Sequence, residues 1–320
     1  MLYNLHLLRV IAALGVVYFH ATSVAGLKLD WDVGSRGVDV FFVISGFIIA
    51  YIGTSKPDQF FIRRLIRVVP FYWAATVFVF AMVSVAPALF RTTTASAPHL
   101  VYSLLFLPHE AANSEMLPTL ILGWSLNYEM FFYVWFAISL RLSPRWSPVI
   151  CGGALIALML LLHAMHTTNP IALFYARPII LELAQLPGLR WLLLAFLVGG
   201  LIVLNVFEEY YRDTLPRHLV AGIPSFFIVA SALLLERIYG MSTKNRAIFL
   251  LGEASYIIYL VHPYIIFTVL RVFFKHAADW SSPAQAVLIA GLLALVSAIA
   301  IAIHVWFEKP VMAFLRARLT

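Results

Sequence analysis

The feature that most limits this chain is a succession of apolar runs, near 5–25, 38–53, 70–88, 119–140, 148–166, 171–187, 191–207, 219–239, 247–274 and 284–307. Most are close to the roughly 20 residues with which an α-helix crosses about 30 Å of hydrocarbon. Inside a bilayer only helices and closed barrels satisfy their own backbone groups, and runs this long without period-2 alternation read as helices. Charge content settles the class. Only 12% of the 320 residues are charged and 62% are hydrophobic, where a soluble domain carries about a quarter charged residues. A charged shell cannot be assembled from 22 Lys plus Arg and 15 Asp plus Glu, so most of the surface must face lipid. The chain reads as an all-α, multi-pass integral membrane protein of about ten transmembrane helices. Nine is the alternative, because the sixth run is short, lies between Pro170 and Pro187, and holds Arg177 and Glu182.

The net charge of +7 would point a soluble protein toward nucleic acid, but here the cations follow topology. With the N-terminus inside, the inner loops and tail hold Lys56, Arg63, Arg64, Arg67, Arg141, Arg145, Arg190, Arg237, Lys244, Arg246, Lys309, Arg316 and Arg318. The opposite loops hold Asp30, Asp32, Glu110, Glu115, Glu208, Glu209, Asp213 and Asp279 against fewer cations. The Lys and Arg bias therefore predicts both termini on the cytoplasmic side and an even number of spans. The basic stretch DQFFIRRLIRVVP, Asp58 to Pro70, reads as a short interfacial helix between spans two and three. A lone cysteine, Cys151, excludes an intramolecular disulfide. Arg9 inside the first run, with no small-residue cleavage site after it, argues against a removable signal. No linker or low-complexity tract interrupts the chain, so residues 1–320 read as one membrane-embedded domain with no fused soluble domain.

Ionisable residues inside spans are costly and mark functional sites by default, the bland alternative for each being a buried pair that only orients helices. Arg9 and His20 are eleven positions apart on the first run, three turns plus about 20°, so they share a face with roughly 16 Å between them along the axis. That spacing suits an elongated anionic ligand entering from the cytoplasm. Arg64 and Arg67 are three apart, with Arg63 one turn from Arg67, and make a phosphate-sized cationic pair where a cytosolic nucleotide-bearing cofactor would arrive. Positive-inside topology and anionic lipid headgroups explain the same arginines without a cofactor. Asp39, in GVDVFFVISGF, and Glu129, in GWSLNYEMFFY, are both expected near the depth of His20. A histidine with a carboxylate in reach gains a fixed tautomer and the basicity needed to deprotonate a sugar hydroxyl. His262 precedes Pro263, which is expected to open its helix at mid-span, and reads as structural, satisfying freed backbone groups. Glu308 is expected to pair with an inner arginine. The spacing of His163 and His166 has no carboxylate or Cys partner nearby, so no metal site is expected.

The ordered set LRVIAALGVVYFH, GVDVFFVISGF, FIRRLIRVVPFYW, WSLNYEMFFY, SYIIYLVHP and FEKP resembles the integral-membrane acyltransferase-3 family, and within it the short, stand-alone exopolysaccharide-modifying O-acetyltransferases. The similarity runs nearly end to end and is loosest from Phe174 to Phe207. It implies transfer of an acyl group, usually acetyl, from cytoplasmic acetyl-CoA to a hydroxyl of an exopolysaccharide or other cell-surface glycan at a bacterial inner membrane. The implied partners are membrane lipid, acyl-CoA and a carbohydrate acceptor, with no nucleic acid. By position His20 corresponds to the family's essential histidine, Arg9 to the arginine paired with it, and Arg64 and Arg67 to the residues expected to hold CoA phosphates. Asp39, Glu129, Ser255, Tyr256, His262 and Glu308 match further family positions. On this reading His20, oriented by Asp39 or Glu129, takes the hydroxyl proton as the alkoxide attacks the thioester, and Tyr128 or Ser125 stabilises the oxyanion. An acyl-histidine route is the variant. The rival class is a transporter or flippase for a lipid-linked sugar, which predicts paired broken helices in two repeated halves, and no internal repeat joins the halves.

Overall fold

The structure is a computed structural model and describes residues 2–26, 34–87, 95–110, 116–164, 197–201, 203–204 and 221–320. Helices α1 (Tyr3–Val24), α2 (Gly37–Ser55), α3 (Phe60–Val85), α4 (Ala97–Leu104), α5 (Gly123–Leu142) and α6 (Ser147–Ala164) come first. Then follow α7 (Ile223–Tyr239), α8 (Arg246–Val272), α9 (Ser282–Ile303) and α10 (Lys309–Leu319), with no strand among the described residues. Among the described residues five segments are long and apolar enough to cross a membrane: Tyr3–Val24, Gly37–Ser55, Pro57–Val85, Arg246–Val272 and Ser282–Leu319. The runs expected at 119–140, 148–166 and 219–239 are helical as α5, α6 and α7. The sixth span with Arg177 and Glu182, most of the seventh, and the loop residues Asp30, Asp32, Glu115, His166, Arg190, Glu208, Glu209 and Asp213 lie outside the described residues.

Two expectations about proline are corrected. The basic stretch before Pro70 is no separate interfacial helix, because α3 runs unbroken from Phe60 to Val85 with Pro70 inside it. Pro263 likewise does not open α8, which continues from Arg246 to Val272. A proline removes one backbone donor and frees the carbonyl four residues back, here Tyr259. That carbonyl receives the His262 Nδ1–H at 2.8 Å, so a side chain repairs the ladder.

The chain divides into two compact units, Met1–Gly46 with Glu182–Lys309, and Phe47–Leu181 with Pro310–Thr320. In the first, α1 and α8 run parallel: the His6 ring lies 4.3 Å from that of Phe249, Arg9 meets Ser255 and His20 meets His262. Small residues let them approach. Ala12, Ala13 and Ala21 are buried on α1, and a side chain at Gly252 of α8 would come within 2.8 Å of His6 Cβ. Helix α7 runs the other way. It ends at Gly240, in the left-handed region at φ +66°, and its Glu236 carboxylate accepts from the Tyr3 and Asn4 amides at 2.7 and 2.8 Å. An anionic cap on the orphan amides of α1 is thus supplied from another helix. Asn245 starts α8 by accepting from the Ala247 and Ile248 amides. Helix α9 descends beside α8 and passes into a π-helical turn, His304–Glu308.

In the second unit α3 packs against α4 and α5. Tyr72 is fully buried and donates its hydroxyl to the Ser103 carbonyl at 3.0 Å, while Gly123 of α5 leaves room for the Tyr72 ring, which a Cβ would meet at 2.7 Å. Phe60 packs on Phe136 at 5.2 Å between ring centroids, with Gly53 closing against both. His99 of α4 is buried, and burial together with neighbouring His109 holds its imidazole below the ordinary histidine value, partly offset by a hydrogen bond to the Leu117 carbonyl.

Candidate active site

The first unit holds a histidine pair between α1 and α8. His262 is 0% exposed, and its Nδ1 faces the carbonyls of Tyr259 at 2.8 Å and Ile258 at 3.2 Å. Only a protonated Nδ1 suits two acceptors, so Nε2 of this neutral ring carries a lone pair. That Nε2 lies 3.3 Å from His20 Nδ1, which is also 2.9 Å from the Val16 carbonyl. With acceptors on both sides, His20 Nδ1 must in turn bear its hydrogen, which puts the basic lone pair of His20 on Nε2. The tautomers are assigned from the acceptors and follow from geometry alone. His262, read from the sequence as structural, therefore does two things: it repairs the helix at Pro263 and fixes the tautomer of His20.

About two turns toward the start of α8, Arg9 Nε donates to Ser255 Oγ at 3.0 Å, and Ser255 Oγ donates to the Gly252 carbonyl at 2.9 Å. Ser255 is fully buried and Tyr256 beside it is half-buried. The start of α2 lies against α1 antiparallel. A Cβ at Gly34 would strike the Gly15 carbonyl and Phe19, and one at Gly37 would lie 2.4 Å from the Ala12 oxygen. With Gly37 against Ala12, this register brings Asp39, 2% exposed, level with Val10. The expected depth is corrected accordingly: Asp39 sits about 1.5 Å along the axis from the level of Arg9 and about 15 Å from that of His20. Small residues at 34 and 37 set this register, which counting from the helix start could not give.

Near the Arg9 level stands a polar group the sequence reading passed over. His304 and Glu308, 1% and 0% exposed, meet at 2.5 Å between Nδ1 and Oε2. His304 Nε2 is 3.8 Å from Glu253, which pairs with Lys309 at 2.8 Å. Glu308 thus has His304 as a partner, and the HVWFE spacing of i,i+4 was the available signal.

The second unit carries the arginines. Arg64 lies over the rings of Phe60 and Tyr133, its guanidinium carbon 5.7 and 5.9 Å from their centroids. Tyr133 in turn donates its hydroxyl to Glu129, and Arg63 donates to the Gln59 side-chain oxygen. Arg67 Nη1 is 3.7 Å from Met312 Sδ. Neither Arg63 nor Arg64 pairs with a carboxylate among the described residues. Ser125 donates to the Leu122 carbonyl at 3.1 Å. Tyr128 stands edge-on to Trp124 at 6.0 Å. Asn127, 1% exposed, has both amide atoms without a hydrogen-bond partner among the described residues, a buried orphan the sequence reading did not single out. No group of three or more His, Cys, Asp or Glu among the described residues is placed to hold a metal ion.

No solved structure matches the chain. Exopolysaccharide production protein ExoZ of Rhizobium meliloti (strain 1021) is 32% identical over 322 residues, covering 94% of this chain and 96% of its own. The acyltransferase domain family, Acyl_transf_3, matches residues 2–303. With helices fit to span a membrane, a half-buried histidine on the first of them paired with a buried one, and a family match over nearly its whole length, the chain belongs to the acyltransferase-3 family of membrane acyltransferases.

Proposed function

We propose that this protein moves an acetyl group from cytoplasmic acetyl-CoA to a hydroxyl of an exopolysaccharide at a bacterial inner membrane. The observation that carries the chemistry is the His262–His20 contact, which leaves the basic lone pair of His20 on Nε2. The acceptor class is inferred from the exopolysaccharide production protein that the chain resembles. The residues present fit the donor: Arg64 lies over two aromatic rings and pairs with no carboxylate among the described residues, a good mount for phosphate oxygens. Acetyl-CoA, when bound, supplies a thioester whose acyl carbon is the electrophile. Arg64 and Arg67 hold phosphate oxygens, and Arg9, fixed by Ser255, sets a cation on the face of α1 that leads to His20. His20 Nε2 takes the proton of the acceptor hydroxyl as its oxygen bonds to the acyl carbon, and returns that proton to the departing sulfur. His262 orients the His20 ring through its contact with Nδ1.

The topology belongs to the same reading. Parallel α1 and α8 with antiparallel α7 and α9 suit ten spans and two inner termini, which would leave the arginines on the cytoplasmic side with the donor. The test is acetyl transfer from labelled acetyl-CoA by the protein in nanodiscs, with mass spectrometry of surface polysaccharide from cells with and without it. Expected is loss of O-acetyl groups without the protein and no transfer by His20→Ala. Unchanged acetylation in either arm would refute the proposal.

A further inference from the structure

In the second unit α5 meets α3 along one buried face, and four contacts set the register. Phe60 packs on Phe136 and stands edge-on to Tyr133, Arg64 lies over Tyr133, and the Tyr72 ring fills the space at Gly123. Phe60 to Tyr72 is 12 residues along α3 and Phe136 to Gly123 is 13 along α5, in reversed order, so the two helices run antiparallel. Asn127, one turn from Gly123 on the same face of α5, therefore stands level with Val68 of α3.

Val68, Tyr72 and Thr76 make an i, i+4, i+8 stripe on α3, and all three are buried. None of them serves Asn127. Val68 is apolar, the Tyr72 hydroxyl donates to the Ser103 carbonyl at 3.0 Å, and the Thr76 hydroxyl donates to the Tyr72 carbonyl at 2.7 Å. Asn127 is 1% exposed, and both Oδ1 and Nδ2 lack a hydrogen-bond partner; no other side chain among the described residues is orphaned at two atoms. A carboxamide carries two donors and two acceptor lone pairs, and burying it with none of them met is costly. As glue between helices it would need a polar partner across the interface, and a leucine would pack there more cheaply.

A partner from outside the chain must offer an acceptor and a donor close together. A trans secondary amide points its own C=O and N–H opposite ways, so one carboxamide bridges two successive amides, taking the N–H of one and donating to the C=O of the next. The neighbouring arginines indicate which amides. Arg67 is within one residue of the Asn127 level and Arg64 about 6 Å from it along α3, and both are half-buried. In acyl-CoA the diphosphate is followed by an arm that carries two successive amides before the thioester.

We propose that the Asn127 carboxamide binds the pantetheine arm of the donor, Oδ1 receiving the N–H of the amide nearer the diphosphate and Nδ2 donating to the carbonyl of the next. The assignment rests on the acetyl-CoA reading above, in which Arg64 and Arg67 hold phosphates. It makes the α3–α5 face, and not α3 alone, the donor site. Seating the arm parts the side chains that close over Asn127.

The probes are CoA and adenosine 3′-phosphate 5′-diphosphate, its nucleotide end without the arm, titrated calorimetrically against the full chain in nanodiscs. Asn127→Leu should weaken CoA about tenfold or more, leave the nucleotide end unchanged, and unfold without ligand at the wild-type temperature or above. Asn127→Gln, which keeps the carboxamide one methylene out of place, should recover part of the CoA affinity. Equal weakening of both probes, or of neither, overturns the proposal. So does a clear fall in the unfolding temperature of ligand-free Asn127→Leu, which would make the residue structural. A rise in KM for the polysaccharide acceptor with CoA binding unchanged overturns it too, and moves the amide to the sugar. If wild type binds neither probe, the acetyl-CoA reading falls; if wild type and Asn127→Leu bind CoA alike, only the Asn127 contact does.

Discussion

His262→Ala removes two hydrogen bonds whose effects can be read separately. Its Nδ1 no longer meets the Tyr259 carbonyl, which Pro263 already deprives of a helix donor. A buried carbonyl left unmet costs about 1–3 kcal/mol, and thermal unfolding in nanodiscs should show a loss of that order. Its Nε2 no longer shares the His20 Nδ1 hydrogen. At 3.3 Å this is the longer of two bonds, since the Val16 carbonyl at 2.9 Å remains, and interhelical hydrogen bonds in membranes average about 0.6 kcal/mol. Loss of about 0.5–1.5 kcal/mol of tautomer control should lower kcat about two- to tenfold, with KM for acetyl-CoA unchanged because no phosphate contact is removed. His20→Ala, which removes the base itself, should cost about 10²–10⁴-fold. The assay is initial-rate acetyl transfer for both variants beside His262→Gln, which keeps a donor and an acceptor and should recover part of kcat. If His262→Ala falls as far as His20→Ala while still folded, His262 carries the proton itself. If its kcat is unchanged, the histidine contact has no part in the reaction. Either result refutes the positioning role.

Replacing Arg64 and Arg67 by Lys keeps the charge that topology needs but loses the fork and the ring stacking. Acetyl-CoA should bind about tenfold or more weaker per residue, with loop labelling showing unchanged orientation. Glu236→Gln should destabilise the first unit by about 1–2 kcal/mol in thermal unfolding, since two amides at the start of α1 lose their anionic acceptor. His99 is held below its ordinary value when folded, so the stability it contributes is present above about pH 6.5 and is lost as pH falls toward its folded value. Amide exchange in α4 should therefore accelerate below about pH 6.5 beyond the intrinsic pH trend, and His99→Phe should flatten the response.

The five spans found among the described residues were legible because bilayer thickness acts on one segment at a time: a helix must be long enough and apolar enough, and both properties lie within the run. The two prolines misled for a related reason. A proline is read as a break from its own chemistry, yet the cost is one freed carbonyl, and whether that carbonyl is met depends on a neighbour. At Pro263 the neighbour, His262, was adjacent in sequence, so the repair could have been read. Glu129 is similar: its hydrogen-bond donor Tyr133 lies one turn on in EMFFY, a local signal given less weight than the depth of the carboxylate.

The site was half legible, and the missing half is what packing decides. Arg9 and His20 stand out because a charge or imidazole in an apolar run is expensive wherever the helix goes. Their partners do not, because Ser255 and His262 are separated from them by 246 and 242 residues, and helical periodicity says nothing about which faces meet. What joins those faces is close approach at small residues, Gly252 under His6 and Gly37 under Ala12, which in a chain rich in Ala and Gly are not distinctive. The placement of Asp39 shows the consequence. Counting from the start of α2 puts it at the depth of His20, while the Gly34 and Gly37 contacts slide it toward Arg9, so one packing register changes which catalytic residue a carboxylate can serve. An electrostatic partner of Arg9 should tolerate Asp39→Glu better than Asp39→Asn. A residue that only orients His20 would lose kcat with either.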